Sequence, residues 1–193
     1  MRTRKRLGAA ARREGILAAA LAEFARRGYD RTRASDIAER AGVTEPVVFQ
    51  RFGSKAGLFA DVLERASQQA EAELRAVFDT APAVHDALVR LLSAEYHDRM
   101  HSPGALVAVF ADAAAHPEPA VRKAGHHAHK RLVTVLAEAL HSSVRPDADP
   151  AAAATLVLSL VHARQLRRGL GRTSTTLERD LAAAVVGIIE HRG

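Results

Sequence analysis

Between Thr44 and Lys55 the chain reads TEPVVFQRFGSK. Val48 and Phe52, four residues apart, would face inward on a short helix. That leaves Glu45, Pro46, Val47, Phe49, Gln50 and Arg51 along the other sides. Such side chains can read base edges in a major groove. Gln50 can pair with adenine, Glu45 can accept from cytosine, and Val47 or Pro46 can meet a thymine methyl. Lys55, Arg51 and Arg33 carry charge suited to phosphates, and Ser35 and Thr44 add hydroxyls beside them.

The ten histidines offer a different chemistry. His126, His127 and His129 crowd one predicted helix at unequal angles. His129 falls within the stripe of Leu132, Val133, Leu136 and Leu140, His126 on its flank and His127 on the polar side. This HHxH run is not the i, i+4 pair of a helical zinc site, and no carboxylate stands between the ligands. His162, between Leu158 and Leu166, reads as a core histidine. No nucleophile elbow, P-loop, dinucleotide fingerprint or paired carboxylates occur. No catalytic residue, metal ligand or cofactor is therefore assigned, and a His-rich all-α enzyme or metal-binding protein is the alternative.

The element that must position the first set is a pair of short helices. Asp36 to Ala41 has apolar positions 37, 38 and 41, one helical face. Gly42 tolerates the left-handed backbone that ends a helix, and Val43 can pack back under the turn. Thr44 is a good N-cap. A carboxylate at Glu45 suits the helix dipole, and the missing N–H of Pro46 costs nothing in a first turn. Two such helices at a steep angle describe a helix-turn-helix. An ordinary pair of core helices shares this grammar.

The ordered run Ile16-Leu17-Ala18-Ala19-Ala20, Phe24, Gly28-Tyr29, Thr32, Asp36-Ile37-Ala38, Ala41-Gly42-Val43-Thr44, Phe49, Phe52-Gly53-Ser54-Lys55 and Leu58-Phe59 closely resembles the N-terminal domain of TetR-family transcriptional regulators. It covers roughly the first third of the chain without gaps. In that family the position of Lys55 is a phosphate contact. The chain departs from the usual pattern at Arg33 (a second Thr), Pro46 (Gly), Phe49 (Tyr) and Arg51 (often His). These departures alter contacts to DNA without threatening the fold, and Phe49 lacks the hydroxyl of the usual Tyr.

Charge agrees with this placement. Residues 1–55 hold 13 Lys/Arg against 6 Asp/Glu, a net of +7, whereas residues 56–193 hold 15 against 16, a net of −1. The excess coincides with the motif, as a phosphate-binding surface requires. The basic arm over residues 1–8 either reaches a neighbouring groove or is merely a tail. Few aromatics and abundant Ala, Leu, Arg and Glu favour an all-α protein. Without cysteine there is no disulfide framework or thiolate site. No apolar run approaches ~18 residues, so no membrane span is expected. Arg12, Arg13 and Glu14 interrupt any signal-peptide core, and a cytoplasmic protein is the expectation.

About nine helices are read. The first runs from Ala9 to Arg27 and buries Ile16, Leu17, Ala20, Leu21 and Phe24, with Gly15 inside it costing about 1 kcal/mol. The motif pair follows. Ser54 then caps a long helix from Lys55 to Phe78. Further helices span 84–101, 104–115, 118–143, 150–168 and 175–191, separated by proline or glycine. Residues 1–54 are read as the arm and helix-turn-helix domain, and 55–193 as a helical regulatory and dimerisation domain.

The helix 150–168 is apolar on both sides, with Leu156, Val157, Leu160 and Val161 opposite Leu158 and Leu166. The last helix has a wide stripe. Self-association is the simplest way to cover them. The resemblance implies the same, with Leu156, Leu160, Leu181, Val185 and Ile188 in a four-helix dimer contact. It also implies a ligand pocket among the middle helices, for which Phe59, Val62, Leu92, Tyr96, Phe110, His126, His129 and Leu136 are the candidates. The partners expected are a near-palindromic double-stranded DNA operator, a hydrophobic small-molecule effector and a second copy of the chain. The function implied is that of a repressor released by its ligand, with an activating or ligand-independent regulator as the alternative.

Overall fold

The computed structural model describes residues 8–93, 109–110, 113–141, 144, 149–169, 180 and 183–187, with side chains along the last long helix given to Val161 and at Ala163. Among these residues the regular secondary structure is helical, apart from a single bridge residue at Val144. Helices with full bounds are α1 (Ala9–Arg31), α2 (Ala34–Ala41), α3 (Glu45–Phe52), α4 (Lys55–Thr80), α5 (Val84–Leu92), α6 (Pro119–Leu140) and α7 (Pro150–Gly169). Residues 183–187 are also helical.

The chain forms two compact units. One comprises Met1–Arg65 with Pro103–His126, the other Ala66–Ser102 with His127–Gly193. Helices α4 and α6 each begin in the first unit and end in the second.

In the first unit, Ile16, Leu17, Ala20 and Phe24 of α1 are buried as expected, together with Ile37, Ala38, Val48, Phe52, Leu58, Phe59, Val62 and Leu63. α1 packs on α2, and α2 on α3. Two details of α1 differ from the sequence reading. The helix extends to Arg31 through Gly28, which is non-helical at φ 74°. Gly28 breaks the helix, but one more turn follows it. Glu23 replaces the half-buried Leu21 in the stripe and is 4% exposed. Its carboxylate is reached by Arg26 at 2.6 Å, Arg40 at 3.1 Å and Arg27 at 3.5 Å, which is how a charge is tolerated there.

In the second unit α5 packs on α7. Ala87, Leu88, Leu91 and Leu92 of α5 are buried. The helix stops at Leu92 rather than near His101, because Ser93 is extended (ψ 159°) and its hydroxyl donates to the Arg90 carbonyl at 2.7 Å. On the part of α6 in this unit the buried side chains are Ala128, Leu132, Val135, Leu136 and Leu140. His129 and Val133, assigned to this stripe from sequence, lie half-buried at its edge. Leu132, Leu136 and Leu140 are common to both faces, so the buried stripe is turned by only part of the ~100° between successive residues. α6 also joins α4 through Arg131 Nε and Glu71 Oε2 at 2.8 Å. That arginine, with Arg75, holds the Glu71 carboxyl below its usual range.

Tyr96, Leu181 and Ile188 lie outside the described residues, as do most of the helices expected over 104–115 and 175–191. The side chains of His162 and Leu166 are likewise outside them.

Candidate nucleic-acid interface

The turn between α2 and α3 forms for the reasons its sequence suggests. Gly42 is left-handed (φ 66°, ψ 34°). Its N–H returns to the Glu39 carbonyl at 3.1 Å, and the Val43 N–H returns to Ala38 at 3.0 Å. These bonds satisfy carbonyls that the end of α2 would otherwise leave unpaired. Thr44 stands at the N-cap in extended conformation, but its side chain makes no capping bond. Its carbonyl accepts from Val47 at 3.0 Å instead.

Val48 and Phe52 seat α3 in the core. Glu45, Pro46, Phe49, Gln50 and Arg51 are exposed, with Val47 half-buried. Phe49 is 38% exposed, unusual for a ring that could have been covered. Arg33 is exposed at the N-cap of α2, and Ser35 is exposed in its first turn. The face therefore presents one carboxylate, one amide, two guanidiniums and apolar groups.

The passage from α3 to α4 is tight. Gly53 adopts φ 74°, which a side-chain-bearing residue rarely takes. Ser54 Oγ accepts from the Gly57 N–H at 3.0 Å, capping α4 as expected. A Cβ at Gly57 would collide with the carbonyl oxygen of Phe52. Arg13 of α1 lies 5.5 Å from the Phe52 ring centre and pairs with Asp61 of α4 at 2.8 Å.

Lys55 begins α4 beside this face. Its ammonium lies 4.4 Å from the centre of the Tyr29 ring and donates to the Asp30 carbonyl at 3.2 Å. Tyr29 is buried against Phe24 and Phe59, with ring centres 6.0 and 5.0 Å away. Burial first, and then its hydrogen bond to Glu118, push the Tyr29 phenol well above its ordinary range.

The remaining candidates are distributed over both units. Phe59, Val62 and Phe110 are buried in the first, and His126 is exposed there. Leu92 and Leu136 are buried in the second, with His129 half-buried. Leu156 is 38% exposed, Leu160 half-buried, and Val185 buried by its own chain. Sequence reasoning passed over Glu23 and His116, yet both are buried polar groups of the first unit. Each has partners nearby in the chain, but Arg40 for Glu23 and Asp30 for His116 come from other elements, which local spacing does not reveal.

Residues 16–62 match the model of the bacterial regulatory proteins of the tetR family. The HTH-type transcriptional activator FasR of Mycolicibacterium smegmatis is 46% identical over 54 residues, 28% of this chain. The matched stretch spans only a quarter, 25%, of that relative's length. The structure of FadR from Bacillus subtilis in complex with stearoyl-CoA is similar with a TM-score of 0.74 at 14% identity, over 92% of this chain and 99% of that one. A transcriptional regulator from Saccharomonospora viridis in complex with choline gives 0.72 at 24% identity, over 93% and 98%. At these identities the two structures speak for the fold, and the family model speaks for the helix-turn-helix. Residues 16–62 thus carry a helix-turn-helix of the tetR family, and the chain as a whole shares the fold of these two structures.

Proposed function

We propose that the protein is a homodimeric repressor that leaves a near-palindromic operator when a hydrophobic small molecule binds. The observation that carries the DNA half is the exposed face of α3, with Glu45, Pro46, Phe49, Gln50 and Arg51 outward and Val48 and Phe52 buried. Val47, Phe49, Gln50, Glu45 and Pro46 read bases. Arg33, Arg51 and Lys55, with Ser35 and Thr44, meet the backbone. Two copies place two recognition helices in successive major-groove turns, about 34 Å or more apart.

For the dimer, the support is the apolar side of α7 left uncovered at Leu156 and half-covered at Leu160 and Val161. A second copy of α7 and of the helix carrying Val185 would cover it in an isologous contact. For the effector, the support is the apolar interior of the helical body, with Leu92 and Leu136 buried and His129 at the edge of the α6 stripe. Structures of similar fold hold stearoyl-CoA and choline. An effector of mostly apolar character with one or two polar groups suits such a lining. A DNA coupling of about 1–3 kcal/mol is expected.

An activator is the second reading, favoured by the FasR relative over the helix-turn-helix. Selecting bound fragments from a genomic DNA pool tests the central claim. A salt-sensitive, two-fold symmetric site is expected, and its position relative to a promoter separates repressor from activator. Failure to enrich any sequence, or light scattering showing a monomer at micromolar concentration, overturns the reading.

A further inference from the structure

His116 lies well outside the helix-turn-helix sequence, yet its ring is 7% exposed within the first unit. Its Nδ1 accepts the backbone N–H of Glu118 at 3.1 Å. An accepting Nδ1 carries no proton, so the ring hydrogen sits on Nε2 and is donated to Asp30 Oδ1 at 3.2 Å. The ring also packs edge-to-face on Tyr29, with centres 4.8 Å apart at 75°. The main chain is pinned as well, since Arg122 Nη1 donates to the His116 carbonyl at 2.9 Å. Every hydrogen-bonding position of this imidazole is thus in use.

Asp30, which its ring bonds, and Tyr29, against which it packs, are the residues that hold Lys55. The Lys55 ammonium rests over the Tyr29 ring and donates to the Asp30 carbonyl. Tyr29 and Asp30 belong to the single turn after the Gly28 break, where the backbone has left the regular helix. The Asp30 carboxylate is 77% exposed. Freed from His116, it could swing to the Lys55 ammonium and compete with a phosphate for it.

We propose that His116 is a positioning residue for DNA binding: by holding Tyr29 and Asp30 it keeps the Lys55 ammonium placed and free to meet a backbone phosphate. The proposal rests on the reading of Lys55 as a phosphate contact. It adds that a side chain 61 positions further along the chain sets the strength of that contact.

The test uses the full-length protein and a labelled duplex of the genomically selected operator, titrated at several salt concentrations. His116→Phe keeps a ring against Tyr29 but donates nothing. His116→Asn can still accept from Glu118 but is too short to reach Asp30. His116→Gln can bring an N–H to the place of Nε2. The first two should weaken binding roughly three- to tenfold, the scale of one net hydrogen bond. Gln should recover most of the loss, which a role in mere packing would not produce. In a Lys55→Ala background the His116 substitutions should cost little further. His116→Asn serves where His116→Phe lowers the melting temperature too far to assay.

Equal affinities for the parent and the Asn variant overturn the proposal. So does a Gln variant as weak as Asn, or a loss that persists undiminished without Lys55. In each of those outcomes Lys55→Ala still weakens the parent, so the DNA-binding reading stands. If Lys55→Ala leaves the affinity and salt dependence unchanged, the phosphate reading of Lys55 falls, and this proposal with it.

Discussion

The Glu23 carboxylate of α1 accepts from Arg40 Nη1 of α2 at 3.1 Å, so a buried charge ties the first helix to the helix-turn-helix. Its three arginine partners are 38–54% exposed at the side chain. They can return to water if the carboxylate is lost, which limits the cost of breaking the cluster. Glu23→Ala should destabilise by about 1–2 kcal/mol, mainly through the emptied core position. Glu23→Leu should fold within about 1 kcal/mol of the parent, because apolar replacement of buried ionic groups is often neutral. Urea denaturation of the two variants checks this; a Leu variant as unstable as Ala would show that the ion pairs themselves hold α1 to α2.

Gly15 lies exposed inside α1, and a Cβ there would meet nothing within 4 Å. Its only contribution is extra freedom in the unfolded chain. Gly15→Ala should raise stability by about 0.5–1 kcal/mol without changing DNA affinity. A thermal melt beside an operator titration reads both quantities.

Gly57 is the opposite case. A methyl group there meets the Phe52 carbonyl, which belongs to the backbone and cannot rotate away. Gly57→Ala must push α4 from the end of α3, at a cost of about 1–3 kcal/mol. Both stability and operator affinity should fall, as read by denaturation and by fluorescence anisotropy.

The raised pKa of the Tyr29 phenol, held up by burial, makes an alkaline prediction. The folded state favours the neutral phenol, so its contribution is complete below the unfolded value near pH 10 and is lost as pH climbs beyond it. Tyr29→Phe should flatten the decline of stability with pH above about 10. Identical declines in the two proteins would show that Tyr29 does not drive it.

On α3, Gln50→Ala should relax preference at one base position by roughly 1–3 kcal/mol, whereas Lys55→Ala should weaken all sites and flatten the salt dependence. Competition with singly substituted operators separates the two. Equal loss of sequence preference in both variants would refute the division of labour.

The short-range features were legible in the chain itself. Helical spacing determined that Val48 and Phe52 turn inward. Turn chemistry determined the left-handed Gly42, and the hydroxyl of Ser54 marked the start of α4. Each depends on neighbours within four or five residues, so period and residue type suffice. The order of motifs over 16–62 was enough to indicate the family. The burial of Glu23 depends on Arg40 in another helix, and the burial of His116 depends on Asp30, 86 residues away. The sequence predicts a helix from Val84 to residue 101, but the helix ends at Leu92, where Ser93 is extended and its hydroxyl donates to the Arg90 carbonyl. On α6, Leu132, Leu136 and Leu140 belong to the buried face as read from sequence, and packing turned that face part-way to bury Ala128 and Val135 and leave His129 and Val133 at the edge. Local periodicity fixes which residues can share a face; only contacts between distant segments decide which face is covered and which charges go inside with it.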